Sequence, residues 1–412
     1  MSDAQTSSEP RLERNVEKTG GQRPEIQSLR AIAILLVLGY HLWTSRLPGG
    51  FVGVDVFFVI SGFLITGQLL REVDRTGRIG LLEFWARRIR RLLPAAFVVL
   101  AVTIGAVLLV LPKEMWRTSL IETAASALYV ENWASVARHL GLLPWVDYGL
   151  PVEHFWSLSV EEQFYLLWPL LILAGLGVAA WVARLRGAKA WRRLQVVFVM
   201  LLAAFALAFV YSLWLTSQHP VHATRNTLSA AWEFAVGGML AFAPRLGDLG
   251  LSQRVRGAIH MAASWIGLVL IVFAATLPEE LGLHPAPLAV LPVAGATLWI
   301  WAESSPSWLS PSRYGALPPV QFVGDVSYGV YLWHQPIYIL VLLGTGENVR
   351  SFGALAVVGG SILLGWLSKR YIEDPFRTSP FWKPLGRTYV FAAVGMLAIV
   401  ALCAAGIAMG GV

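Results

Sequence analysis

An arginine and a histidine interrupt a segment that is otherwise almost wholly apolar. Within Ser28–His41, SLRAIAILLVLGYH, Arg30 and His41 are the two residues able to carry charge. On a helix the eleven steps between them turn about 1100°, so the two share a face and stand about 16 Å apart along the axis. A charge in hydrocarbon costs several kcal/mol even on lenient insertion scales, and ionisable groups inside a membrane are by default functional. Imidazole, with an ordinary pKa of about 6.5, can take a proton at neutral pH, which suits His41 to general-base work. The guanidinium of Arg30 presents a rigid fork that matches phosphate. Arg30 as a snorkelling anchor is the plainer alternative.

Four further motifs add polar groups to apolar helices. In GGFVGVDVFFVISGFLIT, Val59, Gly62 and Thr66 follow Asp55 on one face. Small residues there permit close helix contact, which turns Asp55 into a bundle. FWARRIRRLLPAA carries Arg87, Arg88, Arg90 and Arg91, more than orientation alone requires, and a polyanion is the natural partner of such a cluster. In EHFWSLSVEEQFYLLWP, Ser157, Glu161, Phe164 and Trp168 share a face, and Glu162 points elsewhere. Glu161 is therefore the inward carboxylate. GDVSYGVYLWHQPIYIL lines up Ser327, Tyr331, His334 and Tyr338 on one stripe, with Pro336 inviting a kink. A fifth motif, YIEDPFR, offers Glu373 and Arg377 as an i, i+4 pair.

These elements belong to a polytopic membrane protein. The 412 residues are 56% hydrophobic and only 14% charged, against about one-quarter charged in soluble domains. Eighteen tryptophans suit two membrane interfaces. The net charge of +7 reads as cytoplasmic loop charge, not nucleic-acid binding. One cysteine, Cys403, excludes an intrachain disulfide and a cysteine metal cluster, and no metal is expected. Residues 1–25 read as a disordered cytoplasmic tail.

Apolar runs fall near 28–46, 50–70, 92–112, 157–181, 195–216, 227–245, 259–276, 286–303, 321–343, 352–371 and 389–410. The stretch 119–137, with Glu122, Glu131 and Asn132, is left out as a span. The loop 182–194 then lies inside with the other arginine clusters, and the acidic Pro278-Glu279-Glu280 lies outside. Only this assignment obeys the positive-inside rule throughout. It gives eleven spans, N-terminus inside and C-terminus outside.

Arginines then gather at the inner mouth, carboxylates and aromatics at the outer mouth, and His41 lies between. The pantetheine arm of coenzyme A is about 15–20 Å long, comparable with the Arg30–His41 rise. Phosphates held by Arg30, Arg88 and Arg91 would place a thioester near His41. There it either deprotonates an attacking hydroxyl or carries the acyl group itself. Asp55 or Glu161 would orient His41 or bind acceptor hydroxyls.

The same residues carry a resemblance. Arg30-x10-His41, Gly53–Gly62, the Arg87–Pro94 run, Trp156–Tyr165, Ser327–His334 and Ile372–Arg377, in that order, resemble the acyltransferase family 3 membrane proteins over about 26–377. These are bacterial O-acyltransferases that modify cell-surface carbohydrates. The resemblance implies ten helices that pass an acyl group, usually acetyl, from cytoplasmic acyl-CoA to an extracytoplasmic hydroxyl. It implies catalytic roles for Arg30 and His41; the residues themselves add Asp55 and Glu161 to the catalytic set and make Tyr331 and His334 acceptor-binding. It also implies the bacterial cytoplasmic membrane as the location. Arg225 departs from the pattern, standing seven residues before Trp232 instead of beside it.

The expected organisation is a transmembrane acyltransferase domain at 26–377, a cytoplasmic linker at 378–388 and an extra helix at 389–412. Family members with such a helix usually continue into an extracellular SGNH-type domain. The expectation is that one belongs beyond Val412. The rival class is a proton-coupled secondary transporter of an anionic solute. No internal repeat supports it.

Overall fold

The computed structural model describes residues 23–143, 149–186, 191–245, 252–278, 281–303, 307–345 and 352–410. Among them every regular element is helical. In chain order they are α1 (Pro24–Leu42), α2 (Gly53–Thr76), α3 (Leu81–Val110), α4 (Lys113–Ala127), α5 (Glu131–His139) and α6 (Phe155–Arg186). There follow α7 (Trp191–Gln218), α8 (Pro220–Arg225), α9 (Thr227–Leu240), α10 (Gln253–Thr276) and α11 (Val290–Ala302). The last are α12 (Pro311–Gly315), α13 (Pro318–Thr345), α14 (Phe352–Ser368), α15 (Asp374–Thr378) and α16 (Leu385–Gly410).

Nine stretches of the described residues are long and apolar enough to cross a membrane. The protein is thus an all-α, multi-pass membrane protein. Each of the eleven expected spans carries a helix, but two are short. α9 has 14 residues and α11 has 13, or about 20 Å each against a hydrocarbon core of about 30 Å. The start of α9 is fixed by Asn226, whose Oδ1 accepts from the backbone N–H groups of Leu228 and Ser229 at 2.9 and 3.1 Å.

Both short helices pack on α2. A Cβ on Gly62 would lie 2.1 Å from the carbonyl oxygen of Phe234, and one on Gly237 would lie 2.1 Å from that of Val59. Only glycine permits that approach, so the small-residue face of α2 does meet a neighbouring backbone. α1 runs beside α13.

The stretch left out as a span forms α4 and α5, separated where Tyr129 takes a left-handed φ of 55°. α16 packs on α3 and α4, with Cys403 buried in that contact. α14 passes through a π-helical turn at Lys369–Glu373 before α15. Pro24 and Glu25 already belong to α1, while residues 1–22 of the expected tail lie outside the described residues. So do 187–190 of the basic loop, and Glu279 and Glu280.

Candidate active site

Side chains of α1, α2, α3, α6 and α13 line an empty space of about 760 Å³, the open solvent at its mouth included. Arg30, Arg88, Arg91, Glu161 and Tyr331 all line it. Arg30 Nε donates to Ser327 Oγ at 3.1 Å. The helical turn of α3 sorts its four arginines. Arg87 turns out to Glu72 at 3.2 Å, and Arg90 to the Thr388 hydroxyl at 3.1 Å. Arg88 and Arg91, three residues apart, face inward. Arg88 Nη2 donates to Gln68 Oε1 at 2.8 Å, its guanidinium lies 5.2 Å from the Tyr165 ring centre, and its buried Nε has no partner. Glu161 accepts from the hydroxyls of Ser61 and Tyr165.

Next to the cavity lies a wider vestibule of about 1340 Å³, open solvent included, at the face where α1 begins and α2 ends. Arg30 and Arg91 line both spaces and so mark the seam. Lys369 and Glu373 of the π turn and Arg377 line the vestibule wall. Arg377 pairs with Asp374 at 2.9 Å, an i, i+3 pair, and not with Glu373 as its spacing suggested.

At its other end the cavity stops at Ser157 and Tyr331, whose hydroxyl oxygens are 2.5 Å apart. His41 lies beyond this stop and does not line the cavity. Its ring centre is 5.1 Å from that of His334 and 6.0 Å from that of Tyr338. The Val37 carbonyl lies 2.9 Å from His41 Nδ1. A carbonyl only accepts, so Nδ1 carries the proton and Nε2 of the neutral ring keeps a lone pair. His334 repeats this, its Nδ1–H donating to the Tyr331 carbonyl at 2.6 Å and its buried Nε2 left without a partner.

Asp55 is not brought to His41. Its carboxylate oxygens lie 3.1 and 3.2 Å from Nε2 of His284, and Glu233 of α9 reaches the same carboxylate. The partner comes from the 281–289 segment, far along the chain, so Asp55 joins α2 to that segment instead of orienting the imidazole. On the Glu161 face, Phe164 packs inward against Phe234, and Trp168 Nε1 donates to Thr66 Oγ1 at 2.8 Å.

Several polar groups here had no signal in local spacing. His154 is buried, its ring centre is 4.8 Å from that of His334, and both its nitrogens lack a partner. His284, Ser61 and Tyr165 complete the list. Each acts through a residue far away in sequence. Its position within the EHFWSLS motif, one turn before Ser157, was the only available hint for His154. Arg225 pairs with Glu153 at 3.1 Å, away from the cavity.

A second buried polar cluster joins α4 and α5, outside the spans. Arg138 Nη2 lies 2.7 Å from Glu122 and 4.0 Å from Glu131. Burial, and then the neighbouring Glu122, hold the Glu131 carboxyl well above the usual carboxylate range. Burial raises Glu122 as well. Burial and the mutual repulsion of the two carboxylates therefore favour a proton shared by the pair. Among the described residues no group of three or more His, Cys, Asp or Glu could hold a metal ion.

Comparison with known proteins places these features. The family model described as an acyltransferase domain matches residues 23–370. The peptidoglycan O-acetyltransferase OatA of Listeria monocytogenes is 31% identical over 364 residues, 87% of this chain and 56% of that protein. The putative peptidoglycan O-acetyltransferase YrhL of Bacillus subtilis is 30% identical over 365 residues, 87% of this chain and 55% of that protein. The O-acetyltransferase OatA of Staphylococcus aureus is 30% identical over 87% of this chain and 58% of that protein. The chain therefore spans little more than half the length of these relatives. No solved structure matches it. The match spans every residue that lines the cavity and all but Glu373, Asp374 and Arg377 of the vestibule, and the chain belongs to acyltransferase family 3.

Proposed function

We propose that this protein is a transmembrane O-acyltransferase that moves an acyl group, most simply acetyl, from cytoplasmic acyl-CoA to a hydroxyl of an extracytoplasmic cell-wall glycan. The observation that carries the reading is the position of Arg30 and Arg91 on both the vestibule and the inner cavity. A ligand with anionic and apolar ends fits that pair of spaces. Its phosphates would meet the seam arginines, and its uncharged arm would enter the cavity toward Tyr331. The vestibule is then the cytoplasmic mouth, in keeping with the arginine-rich ends of α2 and α3. Peptidoglycan is the favoured acceptor because relatives of this chain are named for it.

In this scheme Arg30, Arg88 and Arg91 neutralise donor phosphates. Tyr331 turns aside, and the thioester carbonyl meets Nε2 of His41. His41 then accepts the proton of the acceptor hydroxyl as its oxygen attacks and the coenzyme thiolate leaves, or takes the acyl group itself and passes it on. His334 and Tyr331 contact the acceptor side. Glu161, held by Ser61 and Tyr165, fixes the cavity wall. An SGNH-type domain or protein on the outer face would complete delivery.

Radiolabelled acetyl-CoA supplied to one face of proteoliposomes tests the reading. Acetylated glycan appearing at the opposite face supports it. Accumulation of unmodified solute, with no acetyl transfer, would replace the enzyme by a carrier.

A further inference from the structure

The vestibule adjoins a second space, of about 730 Å³, on the same face of the bundle. Arg23, Phe63 and Arg71 line both. Phe63, Gly67, Arg71 and Asp74 recur on successive turns of α2 and form one wall of it. We propose that this side space is the subsite for the nucleotide end of the donor, with Arg71 binding the ribose 3′-phosphate and Phe63 with Arg23 flanking the adenine. The inference rests on the acyl-CoA reading above.

Charge pairing singles out Arg71. The other two basic residues of the side space are already matched, Arg23 with Glu25 and Arg245 with Asp74. In the vestibule Lys369 pairs with Asp325 at 3.2 Å and Arg377 with Asp374 at 2.9 Å. Arg30 and Arg91, which have no ion pair among the described residues, lie at the seam, where the diphosphate takes them. Arg71 is exposed and, among the described residues, has no hydrogen-bond or ion-pair partner. A Cβ on Gly67 would lie 3.2 Å from Arg71 Nη1, so the side chain folds back along α2 over the glycine, into the side space. An unpaired guanidinium fork in that position suits a dianionic phosphomonoester.

Length and shape agree. With the donor's diphosphate at the Arg30–Arg91 seam, the pantetheine arm occupies the inner cavity. The 3′-phosphoadenosine must then lie outward, where the vestibule meets the side space. The Arg23 guanidinium carbon sits 5.0 Å from the centre of the Phe63 ring. A purine placed there meets an aromatic surface and a planar cation.

The test compares binding of coenzyme A and 3′-dephospho-coenzyme A to the purified full chain, in neutral detergent without anionic phospholipid. Wild type should prefer coenzyme A by about tenfold or more, the scale of one charge-assisted contact. In Arg71→Ala the preference should fall to within about threefold, with 3′-dephospho-coenzyme A bound as in wild type. Arg71→Lys should keep an intermediate preference. The proposal is overturned if Arg71→Ala keeps the wild-type preference or weakens both ligands equally. It is also overturned if the variant differs from wild type only when anionic phospholipid is added, which would make Arg71 a lipid contact. Wild type binding neither ligand would instead sink the acyl-CoA reading itself.

Discussion

The hydroxyl oxygens of Ser157 and Tyr331 stand 2.5 Å apart across the inner end of the cavity, and His41 lies on their far side. A thioester entering past Arg30 therefore meets Tyr331 before it meets an imidazole. If Tyr331 serves as a movable barrier, Tyr331→Phe keeps acetyl transfer within about threefold, since the ring still packs and only hydrogen bonds worth about 1 kcal/mol each are lost. Tyr331→Trp should bind coenzyme A normally and lose transfer. Abolished transfer in Tyr331→Phe would move the tyrosine oxygen into the chemistry.

His41→Ala should cost transfer about 10²–10⁴-fold, the range of a general base, with the folded fraction on size-exclusion chromatography unchanged. The hydrogen bond from Nδ1 goes to a carbonyl of its own helix, so little else depends on the ring. Activity near the wild-type level would remove His41 from the mechanism.

Arg30→Ala should raise KM for acetyl-CoA at least tenfold while leaving KM for the acceptor within about twofold. Ser327 Oγ, its hydrogen-bond partner at 3.1 Å, is a weak hold that a phosphate would outcompete. Equal effects on both constants would assign Arg30 to folding.

The Glu122–Glu131–Arg138 cluster predicts a pH dependence of stability. Both carboxyls are raised in the folded protein, whereas in the unfolded chain they ionise near about 4.3. Above that value the folded state holds more protons than the unfolded one, so stability falls as pH rises toward the raised folded values. The slope should approach about 1.4 kcal/mol per pH unit for one group. Thermal unfolding between pH 5 and 8 measures it, and Glu131→Gln should flatten the curve. Arg138→Ala should cost about 3–5 kcal/mol at neutral pH by leaving buried carboxylate uncompensated. A flat profile in wild type contradicts the shared proton.

Residue types and spacing read the cavity wall well and its far connections poorly. Spacing turns Glu161 inward, and chemistry picks Arg30, Arg88 and Arg91 as phosphate ligands and Tyr331 as an acceptor-side group. All five line the cavity, whereas His41, on the same face of α1 as Arg30, does not. The Glu161 face was legible because a single helix fixes which residues share a side. Asp55 turns into the bundle as its face predicts, but its partner could not be read in the same way. Its partner His284 stands 229 residues away, and no local period can show that a segment folds back to supply it. α9 begins where its apolar run begins, at Thr227, and ends at Leu240, five residues short of it, while α11 begins at Val290, four residues into its run. Hydropathy counts apolar residues without seeing where the helical turns stop. Arg377 takes the carboxylate three residues back, on Asp374, over the one four back, on Glu373, a choice between two helical neighbours that spacing leaves open.

Cys403 sits at 1% exposure where α16 meets its neighbours. The molecule is thus a nearly silent background for thiol labelling as it stands. Single cysteines placed around the vestibule rim and at the α5 hairpin would react with impermeant maleimides from one side only. Such a scan would assign inside and outside directly, without first having to engineer the native thiol away.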